Sequence, residues 1–102
     1  MIVRKKLKGP HLEPFVKVVV DIERNILAYG CELHIDCADE LVHDGSNRND
    51  LWGANVYPQK RDIHFVSLIN IRPVDGNRSM EVELPDIKEK IRAVITDCFF
   101  SA

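Results

Sequence analysis

Three residues at a spacing of two, Glu32, His34 and Asp36, could perform chemistry if the chain around them is extended. Alternate side chains of a strand point to the same face, so the imidazole would lie between two carboxylates. Such a group could hold a divalent cation, or transfer a proton with His34 as the base and a carboxylate orienting its ring. An ordinary solvated strand face, with Glu32 paired to Lys17, explains the same alternation and is the favoured interpretation.

A second set of polar residues surrounds two glycine turns of similar composition. One turn reads DGSNR from residue 44, and the other reads DGNRS from residue 75. The backbone N–H groups of glycine turns can cradle an anion, and arginine adds a forked, charged donor. If the turns meet, they would bind phosphate or carboxylate; the predicted ligand-binding residues are Arg48, Asn55, Asn70, Arg72, Asn77 and Arg78. Ordinary turn chemistry remains the competing interpretation.

The elements that must position these residues begin with a hairpin. The segment FVKVVVDIERNILAYGCELHID, residues 15–36, contains two apolar runs separated by Arg24 and Asn25. Asn25 tolerates the positive φ that a two-residue turn requires. The predicted register pairs Ile22 with Leu27, Val20 with Tyr29, Val18 with Cys31 and Val16 with Leu33, and places Lys17 opposite Glu32 on the other face.

The remaining elements are predicted from the pattern of apolar residues and from the glycines and prolines that end each segment. We expect a short edge strand within residues 1–8, a short helix over 37–44 closed by Gly45, and strands over 51–58 and 63–72 whose register stays open. A C-terminal helix starts at Pro85 or Asp86. Its apolar stripe is Ile87, Ile91, Val94, Ile95 and Cys98. The predicted fold is α+β, an antiparallel sheet of four to five strands with the C-terminal helix packed on one face.

Composition and charge restrict the class of protein. The chain has 102 residues, which predicts a single domain over 1–102. Hydrophobic residues make up 45% and charged residues 29%, as in globular proteins. A net charge of −2 argues against a nucleic-acid-binding domain. The apolar runs, such as Val18 to Val20, are far too short to span a membrane.

The cysteines predict a cellular location. Cys31, Cys37 and Cys98 form an odd set without a CxxC motif. The charged start of the chain, MIVRKKLKGP, does not have the pattern of a signal peptide. We therefore expect reduced thiols in a cytoplasmic protein.

Four segments of the chain form a recognisable series, which reads, in order, GCELHID, DGS, DLWGANVYP and INIRPVDGNRS. In these segments the chain resembles a small, uncharacterised family of prokaryotic proteins that consist of a domain of unknown function. The resemblance extends over most of the chain, from about Val16 to the final helix. The resemblance implies a free-standing single domain of this length, and it implies no activity and no catalytic residue.

Three functions from different classes remain open at this point. The first is a small binding module that holds the anionic group of a metabolite, nucleotide or partner at the glycine and arginine loops. The second is a metal-assisted hydrolase using Glu32, His34 and Asp36. The third is a self-associating structural or interaction protein, such as a homodimer, without a small-molecule site. No cofactor is predicted, and a divalent metal remains an alternative.

Overall fold

The structure of the chain is a computed structural model that describes residues 1–4 and 13–100. The described residues form a five-stranded antiparallel sheet in the order β1-β3-β2-β4-β5. Its strands are β1 (Ile2–Val3), β2 (Val16–Asp21), β3 (Ile26–Tyr29), β4 (Leu51–Tyr57) and β5 (Asp62–His64). Two helices, α1 (His34–His43) and α2 (Pro85–Ile95), complete the fold, and a π-helical turn (Thr96–Phe100) extends α2. The predicted α+β class is confirmed.

The two helices cover opposite faces of the sheet because the central strands are apolar on both sides. Val18, Val20 and Leu27 belong to the hydrophobic cluster that contains Ile91 and Ile95 of α2. Val19, between two of those valines, belongs to the cluster that contains Cys37 and Leu41 of α1. Neighbouring side chains of a strand point to opposite faces, so β2 supplies both cores.

The predicted β2–β3 hairpin is confirmed, but its register is wrong by two residues. Val20 pairs with Leu27 and Val18 pairs with Tyr29, so the loop spans residues 22–25. The buried side chain of Asp21 determines this longer loop, since its Oδ1 accepts from the backbone N–H groups of residues 23 and 24 at 2.9 Å. A shift of two leaves each side chain on its predicted face.

Helix α1 begins three residues before the predicted start. His34 is its first residue, and Asp36 lies in its first turn, so the expectation of a strand face with Glu32, His34 and Asp36 is wrong. The helix ends near the predicted position, where Gly45 takes a φ of +106°. The backbone N–H groups of Gly45 and Ser46 then bond the carbonyls of Val42 and Leu41.

The expectation of three reduced thiols is also wrong, because the structure pairs Cys31 with Cys37 in a disulfide. Gly30, with a φ of +88°, turns the chain at the end of β3 toward α1. The bend at residues 32–33 and the first turn of α1 then bring the two Cα atoms to 5.8 Å, within the range that a disulfide bridges. Cys98 remains a buried free thiol.

The predicted strand over 63–72 is mostly wrong. Only 62–64 pair with β4, and the chain then forms two 3₁₀ turns, Leu68–Asn70 and Pro73–Asp75. Ser67 favours the first turn because its Oγ accepts from the N–H of Ile69 at 3.3 Å. Ile69 packs against the cluster under α1 while Ile71 is exposed, so the alternation of these residues does not mark a strand.

The predictions for the chain ends are confirmed where the structure describes them. Helix α2 begins at Pro85, and Ile91, Val94, Ile95 and Cys98 of its stripe are buried while Ile87 packs against them. The short strand β1 lies at the edge of the sheet. The rest of the expected N-terminal strand, residues 5–8, lies outside the described residues.

Candidate functional site

A cleft of about 330 Å³ lies on the α1 face of the sheet, between the start of α1 and the segment after β5. Lys17 and Asn55 are paired across β2 and β4, on the same face as Val19, and form its sheet side. Two further sides come from 33–35 and from 66–69. The lining residues are Lys17, Leu33, His34, Ile35, Asn55, Val66, Ser67, Leu68, Ile69 and Met80.

The absence of a side chain at Gly53 allows these sides to come together. A Cβ on Gly53 would lie 2.5 Å from the Cβ of Ser67 and 3.2 Å from Cδ2 of His34. Contacts near 2.5 Å are far inside van der Waals distance, so glycine is required here for close approach. Asn70 fixes the same position, since its side-chain amide bonds both the N–H and the carbonyl of Gly53 at 2.8 and 2.9 Å.

Lys17 gives the polar side of the cleft a positive charge. Its Nζ donates to the backbone carbonyl of Glu32 at 2.7 Å. Among the described residues, Lys17 has no ion-pair partner. The described residues that line the cleft include no acidic side chain. The ammonium charge is thus available to an anion.

His34 is held in one orientation as a neutral ring. Its Nε2 lies 2.9 Å from the carbonyl oxygen of Ala54, and because a carbonyl only accepts, Nε2 carries the proton. Burial lowers the pKa of His34 below 6.5, and Lys17 lowers it further, while the bond to Ala54 opposes this shift. The ring therefore adds no charge at neutral pH.

Asn55 presents an unused amide to the cleft. Its Oδ1 is buried and has no hydrogen-bond partner among the described residues. The amide lies close enough to His34 to raise the pKa of the ring, although the two side chains do not align in a regular hydrogen bond. An unsatisfied buried polar atom costs free energy, which a bound ligand could recover.

The rim of the cleft is apolar and exposed. Leu33 is 57% exposed, Ile35 43%, Leu68 71% and Met80 41%. Isolated exposed apolar residues are ordinary, but these four converge on one opening. A cleft with an apolar rim and a few convergent polar groups is the usual form of a small-molecule site.

The predicted ligand-binding residues Asn70 and Asn77 are fully buried and bond the backbone. Asn70 links Gly53 to the carbonyl of Met80, at 3.1 Å. Asn77 Nδ2 donates to the carbonyls of Asn70, Ser79 and Glu81 at 2.8 to 3.1 Å. These amides hold the segment 70–83 in place.

Arg72 joins the two glycine-containing loops, which do meet. Its guanidinium donates to the carbonyls of Arg48, Asn49 and Leu51 at 3.0 to 3.2 Å. The group also stacks on the ring of Trp52, with its Cζ 3.7 Å from the centroid. The side chain of Arg48 pairs with Asp39 at 2.5 Å. The two terminal nitrogens of Arg72 are thereby engaged within the fold, while its buried Nε has no hydrogen-bond partner among the described residues.

The second glycine turn does cradle an anion, and that anion is the carboxylate of Glu83. Its Oε2 accepts from the N–H groups of Arg78 and Ser79 at 2.7 and 2.9 Å, and from Ser79 Oγ at 3.2 Å. These bonds lower the pKa of Glu83. The backbone N–H groups expected to hold a ligand hold this side chain.

The predicted metal ligands do not come together. Glu32 precedes α1, His34 faces the sheet, and Asp36 is exposed in the first helical turn. In residues 1–4 and 13–100, no three His, Cys, Asp or Glu side chains are close enough to hold a metal ion.

Of the predicted site residues, Asn55 and His34 line the cleft. Sequence reasoning missed Lys17 as a binding residue and missed the whole apolar rim. One signal was present, since Leu33 and Ile35 flank His34 with large apolar side chains in an otherwise polar segment. Ser67 and Met80 line the cleft only because distant segments of the chain meet in the folded protein, and the sequence around these two residues does not indicate a site.

Comparison with known proteins gives one match. The model of the family described as protein of unknown function (DUF5674) matches residues 3–98. Neither the curated proteins nor the solved structures contain a match to this chain. Among the described residues, no helix is long and apolar enough to cross a membrane.

Proposed function

The chain belongs to DUF5674, a family of proteins of unknown function, and from that premise we propose that it is a binding module for an organic carboxylate with an apolar body. The observation that carries the proposal is the ammonium of Lys17, which has no ion-pair partner among the described residues and borders a cleft whose rim is apolar. The ammonium would bind the carboxylate, and Leu33, Ile35, Leu68 and Met80 would cover the rest of the ligand.

The charge of the site favours a carboxylate over a phosphate. One ammonium matches the single charge of a carboxylate, and Nδ2 of Asn55, which lines the same cleft, can donate a second hydrogen bond. Phosphate sites usually combine several charged or backbone donors. Two candidate groups of that kind, the guanidinium of Arg72 and the backbone N–H groups of Arg78 and Ser79, bond groups of the chain itself.

The volume of the cleft and the extent of its rim limit the size of the apolar part of the ligand. A volume of about 330 Å³ lies at the small end of ligand pockets. Burial of apolar surface contributes about 25 cal/mol per Å², so a short aliphatic chain laid along the four rim residues would supply much of the affinity. Octanoate is a suitable probe of this class.

The polar groups of the cleft support binding more than catalysis. His34 uses Nε2 on the carbonyl of Ala54, and Ser67 Oγ accepts from the N–H of Ile69. Neither group is arranged as a nucleophile with a base beside it.

As part of the same proposal we place the module in the cytoplasm, where a disulfide is normally transient.

The test is calorimetric titration of the protein with octanoate and with octanol, which has the same apolar chain but no charge. We expect octanoate to bind and octanol to bind at least tenfold more weakly. Lys17→Gln should weaken octanoate binding about 10- to 100-fold, the effect of losing a charged hydrogen bond of roughly 1.5–3 kcal/mol.

Lys60→Gln is the matched control, since Lys60 lies in the exposed turn between β4 and β5, away from the cleft. It should leave octanoate binding unchanged. Equal affinity for octanoate and octanol, or unchanged binding in a folded Lys17→Gln variant, would overturn the proposal.

A further inference from the structure

The Cys31–Cys37 disulfide closes a short loop that carries one whole side of the cleft. Leu33, His34 and Ile35 all lie between the two bridged cysteines. The backbone carbonyl of Glu32, in the same loop, accepts the hydrogen bond from Lys17 at 2.7 Å. The covalent bridge therefore holds two of the four rim residues, Leu33 and Ile35, and the carbonyl that accepts from Lys17.

The two sulfur-bearing residues differ in access. Cys37 is buried on the inner face of α1. Cys31 is only partly buried, and it lines a second opening of about 360 Å³ together with Phe15, Lys17 and Tyr29. An incoming thiol can therefore approach the disulfide from the Cys31 side.

The fold does not depend on the bridge for its core. The cluster under α1 also contains Val19, Ile26, Leu41 and Leu51. A reduced Cys37 would remain in this cluster as a small apolar side chain. Reduction would thus release residues 31–33 while leaving the sheet and both helices in place.

We propose that Cys31–Cys37 is a reversible redox site that regulates the cleft: the oxidised protein holds the ligand-binding side in place, and the reduced protein binds ligand more weakly. This inference rests on the proposed function, because it concerns the same cleft. Its physical basis is preorganisation, since a segment that is already fixed loses less conformational entropy when the ligand binds.

The chemical step is exchange with a dithiol reductant. A thiolate of the reductant attacks Sγ of Cys31, the Cys31–Cys37 bond breaks, and Cys37 leaves as a thiolate that takes up a proton. The second thiolate of the reductant then attacks the reductant's first sulfur in the mixed disulfide. Cys31 leaves as a thiolate, which also takes up a proton. The protein gains two hydrogens, and the reductant becomes a disulfide.

Cys98 does not take part in this exchange. It is buried at the end of α2, and burial raises the pKa of its thiol to about 11, so it stays protonated and unreactive. Alkylation after reduction should therefore label Cys31 first and Cys98 last.

The test is titration of the full chain with octanoate before and after reduction by dithiothreitol, with the redox state checked by intact mass. We expect the dissociation constant for octanoate to rise about tenfold on reduction. A coupling of this size between disulfide reduction and ligand binding is typical of allosteric coupling in proteins. Cys31→Ser should bind as weakly as the reduced wild type and should not respond to the reductant. A cooperative thermal unfolding transition of Cys31→Ser is the control that shows that this variant is folded.

Hydrogen exchange at the start of α1 is the second readout, and it needs no ligand. The probe is the backbone amide of Asp36, which donates to the carbonyl of Leu33 at 3.1 Å inside the bridged loop, and we expect it to exchange faster in the reduced protein. Equal octanoate affinity in both redox states, or failure of dithiothreitol to reduce the disulfide of the native protein, would overturn the inference while leaving the proposed function intact. If octanoate binds in neither state, the proposed function fails, and unchanged exchange at Asp36 would overturn the redox site as well.

Discussion

His34 is a residue whose protonation the fold opposes. Burial and the nearby charge of Lys17 lower its pKa below the unfolded value of 6.5. As the pH falls below 6.5, the unfolded chain takes up a proton before the folded protein does, so the free energy of unfolding decreases. Above pH 6.5 the ring is neutral in both states, and this contribution to stability is fully present.

We therefore expect the unfolding midpoint to fall as the pH is lowered from 7 toward 5, and His34→Gln to flatten that part of the profile. Thermal or urea unfolding across this pH range measures the effect. His43→Gln is the control, since His43 is exposed in the last turn of α1. An unaltered profile in His34→Gln would contradict the assignment.

At the residue scale, the sequence indicated which polar side chains matter but not what they bond. The turn around Gly76, predicted to bind a ligand, holds the carboxylate of Glu83, five residues from Arg78. Arg72 was expected to face a ligand, and its guanidinium stacks on Trp52. The partner of a long side chain depends on which segments approach in space, and residue type does not determine that approach.

At the scale of elements, the cleft depends on the contact of β4 with the segment after β5. Gly53→Ala would place a methyl group 2.5 Å from Ser67 Cβ and close to His34. We expect destabilisation of about 1–3 kcal/mol, typical of overpacking, which is a fall in the unfolding midpoint of roughly 4–8 °C per kcal/mol for a domain of this size. Octanoate binding should also weaken because two sides of the cleft are displaced.

The double variant Gly53→Ala with Ser67→Gly is the matched control. It removes both Ser67 atoms that the new methyl group would meet. Partial recovery of the midpoint measured by thermal unfolding is expected, and the absence of any recovery would show that the cost of the alanine lies elsewhere.

The elements themselves were predictable where local signals agree. The apolar stripe of α2 and the proline at its start gave the helix and its boundary, and the glycine after α1 gave its end. The segment 63–72 failed because alternation alone indicated a strand. The buried Asn70 satisfies backbone groups of Gly53 and Met80 there, and only tertiary structure makes that bond available.

At the scale of the whole molecule, the sheet separates two unequal cores. The cluster under α2 includes Trp52, Phe65, Phe99 and Phe100. The cluster under α1 has no aromatic side chain among its buried members, and its bulk comes from Leu41, Leu51 and Ile26. Less apolar surface then protects α1 from local opening than protects α2.

We expect amide hydrogen exchange to show this difference directly. Amides of α1 should exchange through a local opening of lower free energy, while those of β2, β4 and the buried turns of α2 exchange near the global free energy of unfolding. Native-state exchange at increasing denaturant measures both values. One common opening free energy for α1 and α2 would contradict the division into two cores.

The general architecture could be read from the sequence, since patterning, hairpin and final helix combine into an α+β fold. The candidate site could not, because its lining comes from β2, the start of α1, β4 and the segments around Ser67 and Met80. Those segments meet only once the sheet order is fixed, and strand order is a property of the complete chain.

The two-sided burial of β2 has a consequence before folding is complete. Val18, Val19 and Val20 are fully buried in the native protein, so in the unfolded chain they form an uncharged, β-branched segment of the kind that pairs between molecules. Lys17 and Asp21 flank this segment, and charges in such flanking positions oppose aggregation. The same ammonium that is proposed to hold the ligand would thus also oppose aggregation of the newly made chain, so selection against aggregation would favour a charge at position 17 independently of ligand binding.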